Sequence, residues 1–264
     1  MLLKSLRQLL GRHQGAAAEF GVFQSWAEAR RFRLRRVRDG QGCVLEGQLA
    51  LQACRIEWGP SQRSYIDGPE LRLLADLDLP RDLVLMLLNR PLMAAMEQTV
   101  YEHFVDDVQT RIDTDTPVEM RWLVMFSRAG AHELGRLRER YGAATNLMPW
   151  LVQWLSTSLN DALAVTLDTV PAEHPVVITI KSGRLLLRTA MPQPDRQALT
   201  QWVSVYEHAL REAMRIGQSW RQAQASGPQT QPRTWPLMGS PPSSLPDSEP
   251  ALTASTLPPA GTLR

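Results

Sequence analysis

Residues 30–58, RRFRLRRVRDGQGCVLEGQLALQACRIEW, decide the fold class because apolar and polar side chains alternate along them between short turn signals. Phe32 and Leu34 alternate with arginines, which is the pattern of a strand with one buried face. The turn residues at 39–42 lead into a second strand over 44–51, and residues 54–58 continue as a third. The stretch therefore predicts an antiparallel β-meander at the start of the ordered chain.

The hydrophobic period changes several times after the meander. Alternation predicts a strand over 71–78, and an apolar run predicts another over 83–88. The later predicted elements are a helix after Asn89, helices over 132–141 and 148–165, a hairpin over 176–188, and a closing helix from Asp195 to about Trp220. Together they predict an α+β fold: an N-terminal antiparallel β-meander, central helices, and a C-terminal β-hairpin plus long helix.

The two ends of the chain differ from the body between them. Residues 1–25 are predicted to form an amphipathic helix and a linker, with the apolar stripe Leu2, Leu3, Leu6, Leu9 and Leu10. This helix could dock on its own domain, bind a partner or lie on an anionic membrane, and a transit peptide has a similar composition. Residues 26–223 are predicted to be an α+β domain, either undivided or with two subdomains meeting near 106–118. Residues 224–264, rich in Pro and Ser, are predicted to be a disordered tail.

Composition indicates a globular, unexported protein. The chain has 264 residues, 44% of them hydrophobic, which is enough for a large core. No apolar run reaches the roughly 20 residues that cross a bilayer, so we expect a cytoplasmic protein without a transmembrane segment. Cys43 and Cys54 give neither a disulfide framework nor a metal quartet, and we expect two reduced, partly buried thiols on adjoining strands.

Basic residues are concentrated at the start of the chain. Residues 1–38 contain nine Lys or Arg against two Glu, although the whole chain has a net charge of only +2. The anion-binding candidates are Arg31, Arg33, Arg35, Arg36 and Arg38. Strand alternation places the first three on one face, about 7 Å apart, where they could bind phosphates or a partner's carboxylates. Carboxylates on predicted neighbouring strands, such as Glu46 and Asp76, could pair with them instead, and this second arrangement is favoured.

The stretch RIDTDTPVEMRWLVMF, residues 111–126, has the appearance of a chemical site. Asp113 and Asp115 match the first ligands of a calcium loop, but valines occupy the positions of its glycine and its final glutamate. Thr116, Pro117 and Glu119 instead match a capped helix start, in which the glutamate reaches back to the cap amide. We therefore predict a structural corner, a capped turn that leads into a buried strand.

Trp150 and Trp154 are the partner-binding candidates. By helical phase they lie on the flank of the apolar stripe of the predicted 148–165 helix. From this position they either seal the core or anchor a partner, and core sealing is favoured. The sequence contains no catalytic or metal-binding motif, so no catalytic residue, metal ligand or cofactor is predicted.

Two motifs and the late hairpin and helix resemble an uncharacterised conserved protein family of beta-proteobacteria. The motifs are RIEWGPSQRSYIDGPELRL and DTDTPVEMRWLVMF, and the resemblance spans about residues 26–215. It implies a bacterial cytoplasmic protein and brings no activity, cofactor or catalytic residue.

The leading functional hypothesis is a non-enzymatic interaction or scaffold protein with a protein partner. Its basis is the tryptophan flank, the amphipathic N-terminus and the predicted flexible tail. One alternative is binding of an anionic surface, nucleic acid or phospholipid, through the arginine strand. A second alternative is an enzyme whose site is assembled from residues distant in the sequence.

Overall fold

Nine strands form one antiparallel sheet in the part of the chain that the structure describes. The structure is a computed structural model that describes residues 20–37, 42–106 and 117–225, with side chains at 20–37, 42–102 and 117–223. The strands are β1 (Arg33–Arg36), β2 (Cys43–Leu49), β3 (Gln52–Pro60), β4 (Pro69–Asp76), β5 (Val84–Asn89), β6 (Ser127–Arg128), β7 (Tyr141–Thr145), β8 (Val176–Lys181) and β9 (Arg184–Ala190). Their order in the sheet is β1-β2-β3-β4-β9-β8-β5-β7-β6.

Helices flank this sheet. They are α1 (20–30), α2 (Arg90–Asp106), α3 (Val118–Met125), α4 (Ala131–Leu134), α5 (Met148–Leu155), α6 (Ser158–Thr169) and α7 (Arg196–Ala225), and a 3₁₀ turn at Gly135–Leu137 follows α4. Within the described ranges, no helix is both long enough and apolar enough to cross a membrane.

The sheet topology confirms the α+β prediction. Strands β1 to β4 follow one another as antiparallel neighbours, which is the predicted meander. Strand β4 then pairs with β9, so the β8–β9 hairpin lies in the middle of the sheet, and β5 pairs with both β8 and β7. The chain before residue 106 and the chain after residue 118 therefore contribute strands to the same sheet.

The two faces of the sheet carry different layers. One face packs against α1, α5, α6 and α7 in the larger core, which contains the sheet residues Leu45, Ile56, Leu71, Leu87 and Leu187. The other face packs against α2 and α3 over β5, β7 and β8, where Met86 and Trp122 belong to a smaller core. Long apolar runs such as β5 follow from this arrangement, because both faces of that strand are covered.

The predicted linker before residue 26 is wrong for residues 20–25, which belong to α1. Phe20, Phe23, Trp26 and Ala27 are buried, and their spacing of three or four residues is that of one helical face. Phe23 packs on Trp58 of β3 with ring centroids 5.4 Å apart. The predicted amphipathic helix in residues 1–19 and the predicted tail over 226–264 lie outside the described residues.

Three predicted elements in the middle of the chain are corrected. Residues 118–125 form α3 rather than a capped turn and a strand. The predicted 132–141 helix is only the short α4 and a 3₁₀ turn, after which β7 begins. The predicted 148–165 helix is divided into α5 and α6 at Thr157, whose hydroxyl accepts a hydrogen bond from the Leu159 amide and caps α6.

Strand β7 was missed because its sequence, YGAAT, consists mostly of small residues with low strand propensity. Packing explains this composition. A Cβ atom built on Gly142 would lie 2.1 Å from the sulfur of Met93 on α2. Strand β7 thus has small side chains where the helix crosses it.

The β2–β3 turn provides a stability prediction. Ala50 and Leu51 have φ of 48° and 67°, and Leu51 is 94% exposed. Non-glycine residues are strained in this left-handed region, so we expect Leu51→Gly to raise the free energy of unfolding by roughly 0.5–1 kcal/mol. The matched control is Ala53→Gly in β3, which should lower it by a similar amount. Chemical denaturation measures both, and a destabilised Leu51→Gly protein would contradict the assignment of strain.

Candidate interaction groove and charged sheet face

An open groove of about 860 Å³ lies between α6 and α7. The two helices are antiparallel, since Ser158 at the start of α6 contacts His208 of α7, and Thr169 at the end of α6 contacts Gln201. The groove follows α6 from Ser158 to Thr169, which is eleven residue steps or roughly 16 Å. This length accommodates about three turns of a helix.

The groove is lined by small side chains together with larger polar ones, which are Asp161, Arg196, Gln197, Gln201 and His208. Ala162 and Val165 of α6 provide its accessible aliphatic surface, Val205 of α7 is buried beneath it at 1% exposure, and Thr200 and Ser204 are among the hydroxyl groups. Val165 is 60% exposed, which makes it one of the most exposed large apolar residues of the described chain. Small residues allow another backbone to approach closely, so this groove is suited to a helix or an extended segment.

A polar cluster closes one end of the groove. Ser158 Oγ lies 2.9 Å from Nδ1 of His208 and donates a hydrogen bond of 3.1 Å to Oε1 of Glu212. The hydroxyl has a single proton, and because Glu212 receives it, the hydroxyl is an acceptor toward the imidazole. With the hydroxyl proton on the side of Glu212, Nδ1 of His208 is the donor to Ser158. The cluster joins α6 to α7 through these hydrogen bonds.

The sheet face opposite the larger core is charged over β1–β4 and β9. Its cross-strand partners form two rows, Arg33–Glu46–Arg55 and Glu57–Arg72–Arg188. The outer pairs are exposed, as in Arg184–Asp76, where the side chains are 56% and 78% accessible. These rows of charged side chains are called the charged ladder below. Toward the middle of the sheet the side chains of the ladder become buried.

The buried part of the ladder is centred on Glu70, which is fully inaccessible. Its carboxylate accepts hydrogen bonds from Nη1 of Arg188, at 2.8 Å, and from Nη1 of Arg72. Arg72 also donates through Nε to Glu57 at 2.9 Å. Both arginines are less than 10% exposed, so each charge depends on its partner.

Glu119 does not act as the predicted capping residue. It is 2% exposed and forms a two-bond pair with Arg63, with Nε–Oε2 at 3.1 Å and Nη2–Oε1 at 3.2 Å. The pair fixes α3 against the loop between β3 and β4. Burial and the nearby Glu119 carboxylate raise the pKa of the Tyr65 phenol in the same loop. The other residues of the predicted corner, Asp113, Asp115 and Thr116, lie outside the described residues.

The anion-binding candidates do not form the predicted row. Arg31 is in a left-handed turn, with φ of 60°, and is not part of β1. Arg33 and Arg35 share the charged sheet face, where Arg35 pairs with Glu46 as the favoured alternative anticipated. Arg36 points to the other face, with its guanidinium 4.7 Å from the ring of Phe20. Arg38 lies outside the described residues.

Trp150 and Trp154 are buried, so neither is available at the surface to a partner. They are 1% and 0% exposed, and their rings pack on each other with centroids 5.8 Å apart. The indole of Trp154 donates to the carbonyl of Ala209 in α7 at 3.0 Å. The flank position predicted from helical phase is enclosed, because α7 covers it.

The described residues contain neither a disulfide nor a cluster of metal ligands. Cys43 and Cys54 are buried free thiols on the adjoining strands β2 and β3. Burial raises the pKa of each thiol to about 12. In these same ranges no group of three or more His, Cys, Asp or Glu side chains could hold a metal ion.

His174 gives a prediction for the pH dependence of stability. Its ring stacks on Trp202, its Nε2 lies 2.8 Å from the Thr189 hydroxyl, and burial together with the charge of Arg140 lowers its pKa below 6.5. The unfolded chain therefore binds the proton more tightly, so stability present above pH 6.5 is lost as the pH falls toward the lowered value. Chemical denaturation at pH 7.5 and 5 should show a smaller loss in His174→Gln than in the wild type. His132→Gln, at an exposed position, is the control, and equal losses in all three proteins would contradict the prediction.

Sequence reasoning missed the groove because its lining residues look like ordinary exposed helix positions. The available signal was the small-residue series Ser158, Ala162, Val165 and Thr169 along one side of α6. The signal is weak without knowledge of which helix lies alongside.

No protein-family model and no curated protein matches the chain. Among solved structures, the chain is similar to the crystal structure of the mycobacterial trehalose monomycolate transport factor A, TtfA. The identity is 10%, the TM-score is 0.42, and the match covers 75% of this chain and 96% of that one. A likeness this distant does not inform the function.

Proposed function

We propose that the protein is a non-enzymatic interaction module that binds an amphipathic helix of a protein partner in the groove between α6 and α7. The observation that carries the proposal is the groove itself, with its aliphatic surface, small side chains and exposed Val165. The proposed setting is the bacterial cytoplasm, which the sequence resemblance implies.

The dimensions of the groove support a helix as the ligand. Packed helix axes are 8–10 Å apart, and the closest approaches need small side chains at the contact. Ala162, Val165 and Ser204 meet this requirement, and a third helix there would complete a three-helix layer with α6 and α7. The aliphatic stripe of an amphipathic helix would cover Val165, and its polar face would remain in water.

Val165 and Val124 offer a matched pair for the test. Both are exposed valines, at 60% and 50%, but Val124 belongs to α3 on the opposite side of the sheet. Helical peptides selected from a displayed amphipathic library against the wild-type protein should bind Val165→Arg at least about tenfold more weakly. They should bind Val124→Arg as they bind the wild type.

Isothermal titration calorimetry of the selected peptides measures both affinities. Circular dichroism of the two variants confirms that each is folded. Selected peptides that bind Val165→Arg with unchanged affinity would contradict the assignment of the groove, and binding lost only in Val124→Arg would move the site to α3.

A further inference from the structure

We infer that the free edge of β1 binds an acidic, extended segment of a partner protein, which adds to the sheet as a further antiparallel strand. This edge shares no residue with the groove between α6 and α7, so the inference goes beyond the proposed function. It rests on the backbone of β1 and on the arginines around it.

Strand β1 is the outermost strand on its side of the sheet, and among the described residues it pairs only with β2. The Val37 amide donates to the carbonyl of Gly42 at 3.1 Å, so Val37 is at a hydrogen-bonded position of this ladder. Such positions alternate along an antiparallel pair, so the amides and carbonyls of Leu34 and Arg36 point away from β2. No described backbone group pairs with them, and they can accept another strand.

Helix α1, which precedes β1, does not cover this edge. It packs against one face of the sheet, where the Phe23 ring lies 5.4 Å from the ring of Trp58 in β3. Its Phe20 ring is 4.7 Å from the guanidinium of Arg36 on the same face. A strand beside β1 would therefore extend the sheet without displacing α1.

The edge is strongly basic. Residues 30–36 contain five arginines and no acidic residue, and all five arginines are exposed. Within the described ranges only Arg35 of this group has a carboxylate partner, which is Glu46. Arg33, on the same sheet face as Arg35, has none there. Carboxylates of a partner would supply the missing counter-charges.

Strand pairing specifies the sequence pattern of the partner. Side chains directly opposite each other lie on one face of a sheet, and opposite charges in such pairs are stabilising. Arg33 and Arg35 lie on the charged sheet face, so the partner needs carboxylates at every second position. Leu34 is half-buried on the other face, so the residues between the carboxylates should be apolar. The partner segment therefore alternates acidic and apolar residues.

Two other occupants fit this edge less well. A second copy of the chain, paired through β1, would place arginines opposite arginines, which is destabilising. A nucleic acid could contact the guanidinium groups, but it has no backbone amide to pair with the outward carbonyls of Leu34 and Arg36. Strand β1, with the sequence RLRR, also lacks the aromatic rings on which single-stranded nucleic acids stack.

Binding of synthetic octapeptides to the full chain tests the inference. The first peptide alternates glutamate and valine, and the second has the same composition in two blocks, glutamates before valines. We expect the alternating peptide to bind at least about tenfold more tightly, because only it presents carboxylates to one face and apolar side chains to the other. Fluorescence anisotropy of labelled peptides measures both affinities.

Methylation of the peptide backbone separates strand pairing from charge attraction. In the antiparallel arrangement the valines lie opposite Leu34 and Arg36, so the valine amides point toward β1 and the glutamate amides point away. N-methylation of the valines should weaken binding at least about tenfold, whereas N-methylation of the glutamates should change it less than about twofold.

Arg33→Glu should weaken binding of the alternating peptide at least about fivefold, because it replaces an attractive cross-strand pair with a repulsive one. Arg81→Glu is the matched control: Arg81 is also exposed and has no ion pair in the described chain, but it lies between β4 and β5. Val165→Arg, in the groove, should bind the peptide as the wild type does. Circular dichroism confirms that the three variants are folded.

Three results would overturn the inference: equal affinities of the alternating and block peptides, a loss on glutamate methylation that equals or exceeds the loss on valine methylation, or equal losses in Arg33→Glu and Arg81→Glu. An oligodeoxythymidine that binds more tightly than the alternating peptide, and loses affinity in Arg33→Glu, would assign the edge to nucleic acid instead. Peptide binding lost in Val165→Arg but not in Arg33→Glu would place the peptide in the groove.

Discussion

Replacing Glu70 with glutamine should lower the free energy of unfolding by about 3–5 kcal/mol, one of the two largest effects expected of a single substitution in this chain. Glu70 is fully buried in β4, and its carboxylate holds the guanidinium groups of Arg72 and Arg188. The amide of glutamine keeps the size of the side chain but removes its charge. Two arginines, 8% and 6% exposed, would then lose part of their compensation in a site that water hardly reaches.

Asp76→Asn is the matched control. Asp76 is on the same strand and the same face as Glu70, and it pairs with Arg184 at 2.7 Å. Its side chain is 78% exposed, so solvent screens the pair and we expect a loss below about 1 kcal/mol. Urea denaturation of the three proteins measures the difference. Similar losses in Glu70→Gln and Asp76→Asn would show that the buried ladder does not depend on Glu70.

Replacing Trp154 with alanine should also lower the free energy of unfolding by about 3–5 kcal/mol. Its side chain is fully buried beside Trp150, and truncation would leave a cavity and remove a hydrogen-bond donor from the Ala209 carbonyl. The size of this effect distinguishes the two roles that the sequence left open for Trp154, sealing the core and anchoring a partner. Replacing a surface anchor would weaken partner binding and leave the free energy of unfolding almost unchanged, whereas replacing a core residue lowers the free energy of unfolding.

Tyr101→Ala is the control for this substitution. Tyr101 is 69% exposed on α2, and removal of an exposed aromatic ring should change stability by less than about 0.5 kcal/mol. Thermal and urea unfolding both measure the contrast. A loss below about 1 kcal/mol in Trp154→Ala would mean that the tryptophan is not the core element described above.

The sequence predicted those elements whose hydrophobic period is strong and local. The meander, the β8–β9 hairpin and α7 belong to this group, because each is specified by its own alternation, turn or stripe. In the hairpin, Ser182 and Gly183 both adopt positive φ, which agrees with the turn predicted there. Strand β7 and helix α1 were missed for different reasons. The side chains of β7 are small because α2 packs on them, and the apolar stripe of α1 is short, with only Phe20, Phe23, Trp26 and Ala27 buried.

The candidate sites were less predictable because they depend on which elements lie side by side. The spacing of Glu119 predicted a helix cap. Its carboxylate instead accepts hydrogen bonds from Arg63, which lies 56 residues earlier in the chain. The arginine row failed at Arg31 because the chain turns there before β1 begins. Nothing local in α6 indicates that α7 runs antiparallel beside it, so the groove appears only when the two helices are placed together.

The most direct test of the proposed function is a methyl NMR titration of the full chain with a selected amphipathic helix. If the groove is the binding surface, the methyl resonances of Val165, Val205 and Ala162 should shift in proportion to occupancy. The resonances of Val124 on α3 and Leu51 in the β2–β3 turn should not move. Shifts at Val124 or Leu51 without shifts at Val165 would contradict the account.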